Sequence, residues 1–114
     1  MDDPLTTDHL ALPYIAAAQA QKHVTHNAAL RLLDGIVQLA VEAMVATVPP
    51  SSPVEGTRYL LGTTPSGAWA GQGGKLALFV DGAWLFVNPQ VGWLAFDRSA
   101  SRLMVLKASG WAAV

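Results

Sequence analysis

A proline-rich break, Pro49-Pro50-Ser51-Ser52-Pro53, constrains this chain more than any other feature, because no periodic pattern runs across it. Proline offers no backbone N–H and moves the residue before it out of the helical region, so helices and inner strands stop at such a run. Ala, Leu, Val and Gln dominate before the break; Gly, Trp, Phe and short apolar runs follow it. The chain divides accordingly into residues 1–48, an arm and helix, and residues 49–114, a Trp-rich β-hairpin region.

Residues 1–13 hold Pro4 and Pro13 and show no period, which predicts an extended arm. Pro13 can open a short helical stretch through Ala16-Ala17-Ala18-Gln19-Ala20-Gln21. Thr25 or Asn27 is placed to cap a second, longer helix. Along that helix Ala29, Leu32, Ile36, Leu39 and Ala43 form one apolar stripe, and Leu30, Leu33, Val37, Ala40 and Met44 form another. Asn27, Arg31, Asp34, Gln38 and Glu42 take the remaining, solvent-facing side. A surface helix needs only one apolar stripe, so two imply burial on two sides. One reading is a trimeric bundle whose helices also pack on their own domains, with the Ala29-Leu32-Ile36-Leu39-Ala43 stripe as the oligomer interface. The other is a helix sunk deep in a monomeric core. Gly35 costs this helix about 1 kcal/mol against Ala and leaves room for another backbone.

Composition bears on the same choice. Hydrophobic residues make up 52% of the chain and charged residues 13%, about half the usual charged share. So little charge is hard to reconcile with a soluble monomer. Two readings follow, and both can hold: the surplus apolar surface meets partner chains, with a homotrimer expected, and the chain is a fragment whose natural contacts are missing.

The second region predicts short strands at Arg58–Leu61, Leu76–Val80, Trp84–Val87 and Leu103–Leu106, separated by Gly, Pro, Ser and Asp. Asp81-Gly82 between two apolar runs predicts a type I′ hairpin turn. A repeat is visible: Leu76 to Trp84 and Leu103 to Trp111 have the same spacing, and Gly67-Ala68-Trp69 is a weaker third copy of the ending. The expected fold class is α+β, an N-terminal arm and long helix followed by a small antiparallel sheet of hairpins.

Several functions are disfavoured. The net charge is −1 and the seven Lys and Arg are scattered, so no basic patch favours nucleic acid. With no cysteine there is no disulfide framework, Cys-zinc site or thiol nucleophile. The acidic start Met1-Asp2-Asp3-Pro4 lacks the basic region of a signal peptide, and Gln38 and Glu42 interrupt the longest apolar run before it could span a membrane. Export, if it occurs, fits release by cell lysis.

No catalytic set emerges. Ser51, Ser52, Ser66, Ser99, Ser101 and Ser109 lie in turn-like contexts without a nucleophile elbow. Asp81 is explained by its turn, and Glu55 and Asp97 form no evident acid pair. Gly71-Gln72-Gly73-Gly74 lacks the lysine and helix of a phosphate loop. His23 and His26, three apart, could share a metal or serve hydrogen bonding and packing, and no carboxylate stands nearby to complete a site. No cofactor is expected. Trp69, Trp84, Trp93 and Trp111 all fall in the second region. Exposed, they could stack on sugar rings; buried, they are the core or a subunit interface. Trp69, in a glycine-rich segment, is the one expected to be exposed.

The blocks Leu12-Pro13-Tyr14-Ile15, Ala18-Gln19-Ala20-Gln21-Lys22-His23-Val24-Thr25-His26-Asn27 and Leu30 to Ala40 resemble the opening of a phage-associated family of unknown function, found in prophages and gene transfer agents. Gly56-Thr57-Arg58-Tyr59-Leu60, Gly67-Ala68-Trp69-Ala70-Gly71, Asp81-Gly82-Ala83-Trp84 and Pro89 leading to Gly92-Trp93 extend the likeness to roughly residues 10–111. The resemblance implies a tail-fibre or head-spike component of a phage-like particle that contacts other particle proteins and host surface polysaccharide, without catalytic residues. A stand-alone carbohydrate-binding module is the alternative, distinguished by a monomeric state and aligned exposed tryptophans.

Overall fold

A computed structural model describes residues 5–14 and 21–114, with the backbone alone for residues 21–25. It divides into two compact units, Met1–Val37 and Gln38–Val114. The division precedes the proline break because Leu39, Ala40 and Val41 belong with the strands that follow.

In the first unit the arm folds back on itself. The Thr7 N–H donates to the Leu12 carbonyl at 2.9 Å and the Tyr14 N–H to the Leu5 carbonyl at 3.0 Å. Thr6 and Pro13 form an antiparallel bridge, so residues 5–14 are a narrow loop and not an extended arm. The helical stretch expected from Ala16 lies outside the described residues as far as Ala20. Helix α1 spans Gln21–Ile36, and both expected caps, Thr25 and Asn27, sit inside it.

The long helix and its trimeric bundle are overturned. α1 has 16 residues. Gln38 takes a left-handed backbone, φ 53°, the conformation that ends a helix. Ala29 and Leu32 are exposed, Ile36 is half-buried in the last turn, and Leu39 and Ala43 lie beyond the helix. The stripe is therefore not one surface. The physical reason is the competing pull of the sheets: the Phe96 N–H donates to the Leu39 carbonyl at 2.9 Å and the Arg98 N–H to the Val41 carbonyl at 3.0 Å. A short apolar run serves a buried strand as well as a helix, and periodicity alone does not separate them.

The second unit is mostly β. Its strands are β1 (Ala40–Val41), β2 (Arg58–Leu60), β3 (Leu76–Val80), β4 (Ala83–Val87), β5 (Leu94–Asp97), β6 (Arg102–Lys107) and β7 (Gly110–Ala113). They form two sheets, ordered β1-β5-β6-β7 and β2-β3-β4. β1 pairs with β5 in parallel; the other pairings are antiparallel. Past β1 the chain leaves the first sheet for the flank of the second. There the Glu42 N–H donates to the Arg58 carbonyl at 2.7 Å, and the Ala46 N–H to the Leu60 carbonyl at 2.9 Å. Residues 39–46 thus join the edges of both sheets. Glu42 and Arg98 add a surface ion pair at 2.9 Å, a contribution of at most about 1 kcal/mol.

The repeat is two hairpins. Phe79 faces Trp84 across β3–β4, and Leu106 faces Trp111 across β6–β7. In the first, Asp81 and Gly82 have φ 55° and 74°, as a type I′ turn requires. The Glu55 carboxylate accepts the Asp81 N–H at 2.7 Å and steadies that turn. The third copy differs: Gly67–Trp69 is a 3-10 turn, not a hairpin.

Candidate functional site

The tryptophans separate into two groups. The face of sheet β2-β3-β4 that presents Tyr59, Ala77 and Phe86 in register receives the 3-10 turn, which lays Trp69 into it. Trp69 is 0% exposed, with Leu61 and Ala77 against it. Its ring lies 5.2 Å from Tyr59 and 5.2 Å from Trp84, the latter edge-on at 79°. Trp84 also meets Tyr59 at 6.0 Å and Phe79 at 5.1 Å. Tilted and edge-to-face pairs at these distances are favourable aromatic geometries. The expectation that Trp69 is exposed is wrong: glycines 67 and 71, both at positive φ, bend the chain so that the indole points inward. Gly73 closes the same loop, since a Cβ there would lie 2.4 Å from the Thr63 carbonyl oxygen.

Trp93 and Trp111 are half-buried and belong to the other sheet. Trp93 follows a turn in which its N–H donates to the Gln90 carbonyl at 3.1 Å, and its carbonyl accepts the Leu106 N–H at 2.9 Å. Among the described residues, ring contacts link Trp69 to Trp84 and reach neither Trp93 nor Trp111. The four tryptophans do not form one platform for a sugar chain.

The buried carboxylates are occupied with backbone. In the first unit Asp34 is 3% exposed although the sequence places it on the solvent side. It accepts the Thr7 hydroxyl at 2.7 Å, the Leu10 N–H at 2.6 Å and the His9 N–H at 2.9 Å. Burial pushes its carboxyl upward, but the bonds from Thr7, Leu10 and His9 outweigh it and hold the group below the usual carboxylate range. The Arg31 guanidinium, 4.8 Å above the Tyr14 ring, adds a second tie between loop and helix. In the second unit Asp97 turns the chain from β5 to β6: it accepts the Ser99 hydroxyl at 2.6 Å and the Ser99 N–H at 3.0 Å. The Ser99 hydroxyl is the main reason its carboxyl is also held low.

His26 is exposed on α1, and the side chain of His23 lies outside the described residues. Among the described residues no three metal-ligating side chains gather, and no helix is long and apolar enough to cross a membrane.

The feature that sequence reasoning missed is one face of sheet β1-β5-β6-β7. Register alignment puts Ala40, Leu94, Phe96, Leu103, Val105 and Ala112 on a single side. Leu94 is 53% exposed, Phe96 39% and Leu103 40%. The opposite side buries Val41, Ala95, Asp97 and Met104. An antiparallel sheet with one solvated face ordinarily alternates apolar with polar; the stretches Leu94-Ala95-Phe96 of β5 and Leu103-Met104-Val105-Leu106 of β6 are apolar on both. That run of apolar residues without alternation was the available signal.

The chain matches a family described as "Protein of unknown function (DUF2793)" over residues 26–112, and it belongs to that family. The Leu12–Thr25 part of the resemblance noted above lies outside that span. No curated protein and no solved structure matches the chain.

Proposed function

We propose that this chain is a non-catalytic structural component of a phage-like particle, a tail-fibre or head-spike element that works by packing against other protein chains. The observation that carries this reading is the exposed apolar face of sheet β1-β5-β6-β7, in a chain with few charges to keep such a face solvated. The particle itself comes from the resemblance of the Ala18–Asn27 block and the Gly-Trp turns. The commitment of Asp34 and Asp97 to holding loops supports a structural role over an acid–base one.

The homotrimer expected from the sequence depended on the helical bundle. Self-association is proposed here through the β unit instead. Contact with host surface polysaccharide, where it occurs, falls to Trp93 and Trp111, because Trp69 and Trp84 are taken up by the aromatic cluster.

The test is to purify particles from the producing cells and look for the chain by mass spectrometry, then to delete its coding sequence. The proposal expects the chain in intact particles and a defect in particle assembly or adsorption without it. Absence from particles, with normal yield and adsorption in the deletion, overturns it.

A further inference from the structure

The two repeated hairpins each leave their second strand at a sheet edge, β4 in one sheet and β7 in the other. An edge strand offers unpaired backbone groups to any chain that can lie beside it, and proteins that must avoid this place Lys, Pro or bulges there. β7 reads Gly110-Trp111-Ala112-Ala113 and has none of these.

The hydrogen-bond phase of β7 follows from its partner. Lys107 and Gly110 close the two-residue hairpin, and the Val114 N–H donates to the Leu103 carbonyl at 3.0 Å. Leu106 turns its own backbone groups the other way, accepting from Gly92 and donating to Trp93. By the alternation of an antiparallel ladder, Gly110, Ala112 and Val114 face β6, while Trp111 and Ala113 direct their N–H and C=O away from the sheet.

That pattern is self-complementary. Placed antiparallel about a two-fold axis at Ala112, Trp111 exchanges both backbone bonds with Ala113 of a second copy, and Ala113 does so with the second copy's Trp111. The two Ala112 residues meet as the non-hydrogen-bonded pair between them, where Cα atoms approach to about 4.5 Å. A methyl group suits that spacing, and each large Trp111 stands opposite a small Ala113. Ala112 lies on the exposed apolar face with Leu94 and Val105, so joining the edges runs the two faces together into one surface. β4 is less suited: its outward backbone groups belong to Trp84 and Phe86, whose side chains are packed in the aromatic cluster, and Leu85 would sit on the axis.

We infer that β7 is a self-association edge through which two copies of this chain join their sheets, with Ala112 at the two-fold. The inference deepens the assembly part of the proposed function and rests on it for its biological meaning.

The chain has no cysteine, so one introduced cysteine reports on its own copy alone. Paired positions at this spacing satisfy disulfide geometry. Ala112→Cys in the full chain, under mild oxidation, is expected to form disulfide-linked dimer at least about tenfold faster than Ser109→Cys at the exposed hairpin tip, as a preformed pair requires. Adding Ala113→Pro, which removes an outward N–H at an edge position where proline is tolerated, is expected to return Ala112→Cys to the Ser109→Cys rate with the β signal in circular dichroism retained. Equal rates for Ala112→Cys and Ser109→Cys overturn the inference. If the cysteine variant cross-links but the chain is missing from purified particles, the edge stands and the particle reading falls; the reverse result leaves the particle reading and removes the edge.

Discussion

Thr7 and Asp34, 27 positions apart, are joined by a buried 2.7 Å hydrogen bond that closes the N-terminal loop onto α1. The Thr7 hydroxyl also accepts the Leu12 N–H at 2.9 Å, so one side chain ties together both arms of the loop and the helix. Asp34→Ala leaves the Thr7 hydroxyl and the Leu10 and His9 N–H groups without their acceptor and is expected to cost the first unit about 2–3 kcal/mol. Amide exchange at Leu10 and His9 reads this directly: both should accelerate in the variant, and unchanged protection contradicts the assignment.

Asp34 and Asp97 give the chain a defined acid sensitivity. Both carboxyls are held low in the folded chain, so as pH falls the unfolded chain takes up protons first. Their stabilisation is complete above about pH 5, and it is lost as pH drops through the unfolded carboxylate value and then the folded values. Urea midpoints measured from pH 7 down to pH 3 should fall below about pH 4. Asp34→Asn should flatten part of that fall, and an identical profile in the variant contradicts the prediction.

Trp69 is expected to behave as core. Trp69→Ala should lower stability by about 3–5 kcal/mol, and collisional quenchers should reach the remaining tryptophans of the wild type more easily than Trp69. A mild loss of stability together with loss of polysaccharide binding would place Trp69 at a surface instead.

The Asp81-Gly82 turn requires positive φ at both residues. Gly82→Val forces a β-branched side chain into that region and should cost about 1–3 kcal/mol. Glu55→Ala, which removes the acceptor of the Asp81 N–H, should cost less, about 1 kcal/mol for an exposed bond. Thermal melts of the two variants check the ranking; reversal of the order would mean that the carboxylate, not the backbone conformation, dominates.

The local turn chemistry was legible in the sequence, and the tertiary competition was not. Asp81-Gly82 needs only two residues to declare a hairpin, and the spacing of Trp84 and Trp111 declares that there are two. Leu39, Ala40 and Val41 fit a helix by spacing; only Phe96 and Arg98, more than fifty residues later, draw them into a strand. Asp34 sits on the polar face of the helical pattern, and nothing local distinguishes a solvated carboxylate from one waiting for Thr7. The consequence is measurable: Leu39→Ala should cost about 2–5 kcal/mol, whereas Leu32→Ala, at a position 38% exposed, should stay within about 0.5 kcal/mol. Equal losses would restore a common buried stripe.

We propose that copies of this chain join at the β7 edge and run the exposed faces of their β1-β5-β6-β7 sheets together, and light scattering at micromolar concentration tests that self-association most directly. The wild type should show a mass of at least two chains, and Ala113→Pro, which removes an outward N–H of β7 at an exposed edge position, should show the mass of one chain with an unchanged β signal. A wild type that scatters as a single chain contradicts the claim.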